Sequence, residues 1–170
     1  MPTGGRTYGD AAMTIMSFLD ERAVTTDLKV HSQSKEDIIR ELVQLLVTAG
    51  SIKDKDVSRL VQILLKRESL GSTGIGQGVA IPHGKCDLVK DLVAAFGVCR
   101  AGVPFDSLDG EPVYLFFLLV APEDSAGPHL KALARISRLL KDKHFRDGLR
   151  NAKDEKTLAR IIREEDERRH

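Results

Sequence analysis

The residues best suited to chemistry lie between Arg67 and Lys85, in the run RESLGSTGIGQGVAIPHGK. Four glycines, at 71, 74, 76 and 78, fall within eight residues there and precede a histidine bracketed as Pro82-His83-Gly84. A loop this rich in glycine invites a nucleotide reading, but neither nucleotide pattern fits. Gly71 and Gly76 have the P-loop separation, yet Gln77 stands where a lysine is required. The dinucleotide fingerprint is missed by one position at Gly78. Both motifs also run strand, loop, helix, so that a helix N-terminus meets the phosphates. This loop runs from a helix into a strand, and nucleotide binding by it is excluded.

What remains is a histidine at the end of a short strand. Pro82 fixes its own backbone and Gly84 removes bulk on the far side, so His83 is held stiffly yet open to a large partner. A neutral imidazole, with an unperturbed pKa of about 6.5, is available as a nucleophile at neutral pH. The alternative role is a histidine satisfied by hydrogen bonds where the strand ends. His83-x-x-Cys86 is half of a zinc site, but no second paired ligand motif accompanies it and no metal is expected. Cys86 and Cys99 form no Cys-x-x-Cys pair and read as small core residues. His31, His144 and His170 have no evident partners.

The elements that must position this segment follow from periodicity. Ser34 is a good N-cap, with Asp37 three positions on; Ile38, Leu42, Leu45, Leu46 and Ala49 recur at helical intervals until Gly50. A second helix from about Asp54 carries Val57, Leu60, Val61, Leu64 and Leu65 on one face and ends in Lys66-Arg67, cations where the helix dipole favours them. Val79-Ala80-Ile81, Leu92 to Cys99 and Val113 to Val120 are apolar nearly throughout, the pattern of strands buried on both faces. Three helices follow. Pro128 suits the first helical position of one that carries Leu130, Leu133, Ala134 and Leu140. A short helix spans Phe145 to Leu149, and the last starts near Asp154 and buries Leu158, Ile161 and Ile162. A short apolar stretch from Ile15 to Leu19 stands alone near the start. Residues 1–12 read as a loose tail, and the charged residues from Arg163 onward as a solvated end or a fraying helix turn, with 166–170 the solvated C-terminal end. The expected fold is α/β (α+β): a mixed β-sheet of about five strands sandwiched between helices on both faces.

Composition limits the partners. The chain has 170 residues, 42% hydrophobic and 30% charged, enough for one domain with a real core. Twenty-six basic residues against twenty-five acidic ones leave a net charge of +1, which argues against nucleic-acid binding through bulk positive charge. Met1 to Ala12 lacks the basic and apolar regions of a signal peptide, and no uncharged apolar run reaches the roughly 18 residues that span a bilayer. The expectation is a cytoplasmic protein without membrane insertion.

The same segment resembles the active-site signature of the type-2 IIA proteins of the bacterial phosphotransferase system (PTS), the fructose/mannitol-type IIA domains and the nitrogen-regulatory IIA proteins. Arg67-Glu68, Gly71-Ser72-Thr73-Gly74-Ile75-Gly76 and Gly78-Val79-Ala80-Ile81-Pro82-His83-Gly84 carry the resemblance. It continues through FDSLDGEPV (105–113), the apolar run to Pro122, and His129-Leu130, and covers residues 13–165. Gln77 departs from the asparagine usual in nitrogen-regulatory relatives but keeps a side-chain amide.

The resemblance implies that His83 is the nucleophile, phosphorylated on Nε2 by a phosphohistidine of an HPr-like histidine phosphocarrier protein. It implies that His129 is the second active-site histidine, donating a hydrogen bond to the phosphoryl group, and that Arg67 stabilises its charge with a bidentate fork. With Pro128 as the first helical position, His129 falls second, at the positive end of the helix dipole. Ser72, Thr73, Gly74 and Gln77 are the further candidate binding residues, the hydroxyls as donors and the glycine as a place of close backbone approach. No cofactor is implied. Two roles stay open: a nitrogen-regulatory IIA acting by phosphorylation-dependent protein binding, or a sugar-specific IIA passing the phosphoryl group to a IIB domain. The lack of an attached IIB, IIC or transcription-factor portion favours the stand-alone regulatory role. A non-catalytic interaction module on the same fold is the third reading, against which the joint presence of Arg67, His83 and His129 counts.

Overall fold

Two adjacent central strands carry the fold, and apart from an exposed stretch at Arg100 and Ala101 their side chains have a helix layer to face. The computed structural model describes residues 13–29 and 34–169. The expected tail over 1–12, His31 and His170 lie outside them. β5 (Val93–Val103) and β6 (Val113–Pro122) pair antiparallel, with Phe96 opposite Phe117 and Ala94 opposite Leu119. Their side chains alternate between faces, as the pleat requires. Ala94, Phe96, Val98, Leu115, Phe117 and Leu119 enter one core; Ala95, Cys99, Phe116, Leu118 and Val120 enter the other. That double burial is why both strands read as continuous apolar runs.

The sheet has six strands where about five were expected. In spatial order β1 (Leu19–Thr25), β5, β6, β3 (Val79–Ala80) and β2 (Gly74–Gly76) lie side by side, and β4 (His83–Cys86) also pairs with β6. β1 runs parallel to β5, while β3 and β4 run parallel to β6. β1 is an addition to the expected elements: a 3-10 turn at Ile15–Ser17 occupies the apolar stretch, and the strand begins only at Leu19. Its charges Asp20, Glu21 and Arg22 hide it from an apolar-run search, because an edge strand exposes part of its length.

The first core is closed by α3 (Ala126–Leu139), α4 (Lys143–Asn151) and α5 (Glu155–Arg168), through Ala132, Ile136, Leu139, Phe145, Leu149, Leu158 and Ile162. The second is closed by α1 (Lys35–Thr48) and α2 (Val57–Ser69), through Ile38, Leu42, Leu46, Leu60, Val61 and Leu64. Caps set the helix starts: Ser34 Oγ accepts from the Asp37 amide at 3.1 Å, and Asp154 accepts from the Thr157 amide at 2.7 Å. α1 ends where Gly50 takes a φ of 79°, a conformation that favours glycine.

Two expectations are corrected here. α3 starts at Ala126, so Pro128 is the third helical residue and His129 the fourth. A proline is as well placed there as at the first position, since the amides of the whole first turn lack intrahelical acceptors. The C-terminal end is not simply solvated. α5 continues to Arg168, and Glu165 and Asp166 are buried, Asp166 at 1% exposure. Asp166 accepts from Arg135 Nε at 2.7 Å and from the Ile15 amide at 2.6 Å, so a charge that reads as surface in the sequence ties α5, α3 and the first described turn together.

Candidate functional site

His83 opens β4 rather than closing the strand before it. The register of β3 along β6 carries across Ile81-Pro82 into β4: Val79 and Ala80 face Leu115 and Phe116, and His83 and Gly84 face Leu119 and Val120. Pro82 breaks the strand because it has no N–H to donate. Its carbonyl accepts from the Leu119 amide at 3.0 Å, so the interruption is pinned rather than loose. Gly84 packs against Leu64 and Ile63 of α2; a Cβ there would sit 3.3 Å from a Leu64 methyl.

The His83 ring is half-buried, and its Nδ1 lies 2.7 Å from the Ile81 carbonyl oxygen. A carbonyl only accepts, so Nδ1 carries the proton and donates it, and the lone pair resides on Nε2. Burial lowers the pKa of His83, and the Arg67 charge lowers it further; the Ile81 hydrogen bond and Glu68 work the other way. At neutral pH the ring is uncharged with Nε2 free to act as a nucleophile.

His129, on the first turn of α3, is 7% exposed, and its ring lies 5.5 Å from that of His83 at an interplanar angle of 68°. Its amide closes the helix turn on the Ser125 carbonyl at 3.0 Å, while its Nε2 is buried with no hydrogen-bond partner among the described residues. Burial pushes its pKa down to about 4, with smaller contributions from His83 and Lys85. A buried nitrogen without a partner costs free energy, roughly 1–3 kcal/mol, which a ligand group placed there would recover.

Arg67 lies in the last turn of α2, where Nη1 donates to the Gly71 carbonyl at 2.8 Å. One arm of the guanidinium is thereby fixed at the mouth of the glycine loop, close enough to act on His83, with its remaining donors uncommitted.

The loop residues are placed differently. Thr73 is buried, and both its amide and its hydroxyl donate to the Glu68 carboxylate. Ser72 Oγ donates to the Phe105 carbonyl at 2.6 Å and accepts from the Gly74 amide. The Ser107 side chain closes against Gly74, where an added Cβ would lie 2.5 Å from Ser107 Oγ. Gln77 is exposed in the β2–β3 turn at a φ of 57°, and its amide donates to Asp109 at 2.8 Å. The structure thus sets His83 and His129 side by side with Arg67 in electrostatic reach of His83, while Ser72, Gly74 and Gln77 hold the loop onto the 105–109 segment and Thr73 ties it to Glu68 of α2.

Glu68 and Lys85, both inside the segment singled out by the sequence, were given no role there. Glu68, 5% exposed, binds Thr73 and Lys35 Nζ, the latter at 3.0 Å. The available signal was its position on the apolar face of α2, one turn beyond Leu64. Lys85 follows His83 by two residues on a strand and so shares its face of the sheet. Among the described residues no three His, Cys, Asp or Glu side chains come together as a metal site.

A mixed sheet between two helix layers, presenting one stiffly held histidine beside a second buried one, defines a distinct class of α/β protein. Residues 17–165 match the model of the phosphoenolpyruvate-dependent sugar phosphotransferase system EIIA 2 family, and the chain belongs to that family, whose members are phosphotransfer components. It is 37% identical over 150 residues to a nitrogen regulatory protein of Bradyrhizobium diazoefficiens, covering 88% of this chain and 95% of that one. It is also 40% identical over 142 residues, 84% of its length, to the fructose-specific EIIABC component of Bacillus subtilis, of which the match spans only 22%. The crystal structure of nitrogen regulatory protein IIA-Ntr from Neisseria meningitidis superposes with a TM-score of 0.76 at 33% identity, covering 87% of this chain and 98% of that one. Both kinds of relative are consistent with a phosphocarrier role. No described helix is long and apolar enough to cross a membrane.

Proposed function

We propose that the chain is a phosphocarrier that takes a phosphoryl group onto His83 Nε2 from a phosphohistidine of an HPr-like donor protein, acting in the cytoplasm as a nitrogen-regulatory IIA. The observation that carries this reading is the Nδ1–Ile81 hydrogen bond, which leaves the Nε2 lone pair free beside an unpartnered His129 Nε2. In the step, the Nε2 lone pair of His83 attacks phosphorus. The N–P bond of the donor breaks, and its electron pair returns to the donor imidazole. The Nδ1 proton of His83 stays on its bond to the Ile81 carbonyl, so no proton need leave the site.

Phosphoryl transfer asks the protein for in-line positioning and stabilisation of charge on the transferred oxygens. His129, neutral at pH 7, donates Nε2–H to one oxygen, and the free arm of Arg67 takes another. The two nitrogens exchanging the group are alike, so transfer is close to balanced and runs onward as readily as inward. The product adds about two negative charges at one surface point and carries the protein from +1 to roughly −1, a change that a docking partner can read.

Incubation with phosphoenolpyruvate and the upstream phosphocarrier proteins, followed by intact-mass measurement, tests the assignment. The wild type gains one acid-labile phosphoryl group and His83→Ala gains none; labelling of that variant at an equal rate refutes it. The 40% identity to a fructose-specific component supports a second reading, a sugar IIA that hands the group to a IIB domain. Mannitol IIA of Escherichia coli has been solved in complex with phosphorylated IIB. A cognate IIB protein that drains the label separates the sugar role from the regulatory one.

A further inference from the structure

At the other end of the sheet from His83, a cavity of about 320 Å³ is lined by Val98, Arg100, Asp147, Arg150 and Asn151. Val98 faces Leu115 across β5 and β6, whereas His83 faces Leu119, four residues further along β6 and so roughly 13 Å away. The two sites are separate.

Neither arginine at this cavity belongs to an ion pair among the described residues, in contrast to Arg22, Arg59, Arg135, Arg160 and Arg163, each of which meets a carboxylate. Both are nonetheless held in place. Arg100 Nη2 donates to the Ala152 carbonyl at 3.3 Å, just past the end of α4. The Arg150 guanidinium lies over the Tyr114 ring, 3.8 Å from its centroid. Asp147, the one acid in the wall, is bonded to Lys143 Nζ at 2.8 Å, so the groups around the cavity sum to an excess of positive charge. Two fixed guanidinium groups repel each other until an anion lies between them, and their planar forks match the oxygens of a phosphate. Asn151 adds an amide donor.

We propose that the Arg100–Arg150 cavity binds a small phosphomonoester, with both guanidinium groups on the phosphate oxygens. The support of Arg150 gives the site a route to the glycine loop. The Tyr114 ring packs against Gly102, where a Cβ would lie 2.7 Å from it, and against Gly78, 3.3 Å from a Cβ there. The amides of Tyr114 and Leu115 both donate to the Gly78 carbonyl, at 2.9 and 3.0 Å.

The test is titration of the full chain with glycerol 3-phosphate and, separately, inorganic phosphate, read by ¹H–¹⁵N NMR on the backbone amides and the arginine Nε–H groups. Saturable shifts are expected at Arg100, Tyr114, Arg150 and Asn151, and Arg100→Gln or Arg150→Gln weakens binding roughly tenfold each. Both side chains are exposed, and an unchanged thermal midpoint verifies that the variants fold. Three results overturn the proposal: no shift at tens of millimolar ligand, shifts confined to His83 and His129, or binding undiminished in the two variants. Succinate is the contrasting ligand; equal or tighter binding of this dicarboxylate overturns the phosphomonoester assignment. None of these readouts depends on phosphorylation of His83, so the outcome is independent of the phosphocarrier reading.

Discussion

Acidification singles out His129. Its imidazole titrates at about 4 in the folded protein against 6.5 for an exposed histidine, because burial penalises the cation. Above pH 6.5 both the folded and the unfolded chain hold this ring neutral, and it contributes nothing to the pH dependence of stability. Below that value the unfolded chain binds a proton that the folded chain refuses. Stability then falls by about 1.4 kcal/mol per pH unit until the folded ring itself titrates. A gap of about 2.5 units sets the total at no more than about 3.4 kcal/mol, lost between pH 6.5 and 4. The depressed pKa of His83 acts in the same direction. The carboxylates with lowered pKa values, among them Asp109, Asp154 and Glu155, stabilise the fold above their unfolded values and lose that contribution only as pH falls through their folded ones, below about 4. The two windows therefore separate. Urea unfolding of the wild type and His129→Gln between pH 7 and 4.5 should show the wild type losing stability faster by about 2 kcal/mol over that range. Parallel decline in the two proteins would refute the assignment of a buried neutral imidazole. NMR titration of the ring carbons supplies the direct value, and phosphorylation of His83 should raise it, since a nearby dianion favours the imidazolium.

Glu68→Gln removes the carboxylate that holds Thr73 and Lys35 and turns one of its oxygens into a donor facing donors. A loss of about 3 kcal/mol is expected, read as a drop of roughly 6–12 °C in the thermal midpoint, and a change under about 1 kcal/mol shows that the clamp is slack. Asp166→Ala leaves Arg135 buried and unpaired at a cost of about 3–5 kcal/mol, whereas the double change Arg135→Met, Asp166→Leu recovers most of it; urea denaturation measures both, and equal losses in the single and double variants contradict the ion-pair account.

Legibility followed burial pattern. β5 and β6 were visible because both faces of each strand meet a helix layer, so no polar residue interrupts Val113 to Val120 apart from Tyr114. α1 and α2 were visible because each has one apolar stripe and a recognisable start or stop. β1 was not, since its exposed middle carries Asp20, Glu21 and Arg22. β2 and β4 were not, since a strand of Gly-Ile-Gly and one of His-Gly-Lys-Cys owe their extended form to neighbours rather than to their own propensities. Asp166 was misread because a carboxylate in a run of alternating charges is indistinguishable from its solvated neighbours until the arginine it pairs with, 31 residues earlier, is brought alongside. Of the site, His83 stood out by local context, whereas the role of Arg67, which local context reads only as a helix-ending cation, and the proximity of His129, which depends on α3 docking on the sheet, came only through resemblance.

The electrostatics of the two rings bears directly on the proposed chemistry. Arg67 and Glu68 act on His83 with opposite signs, and Lys85 disfavours a charge on His129. With burial dominant at both, the pair is neutral before reaction, one ring with a free lone pair and the other with a proton to donate. A cationic His83 would have no nucleophilic nitrogen, and a cationic His129 would bring a buried charge lacking any counterion until the phosphoryl group arrived. Neutrality keeps the resting site stable, and in the proposed step the incoming dianion would supply the charge that His129 and Arg67 meet. His129→Gln retains an amide donor but cannot gain a proton. It should therefore still permit uptake at His83, read by intact-mass measurement, and complete loss of labelling in this variant would contradict the view that a neutral hydrogen-bond donor suffices at position 129.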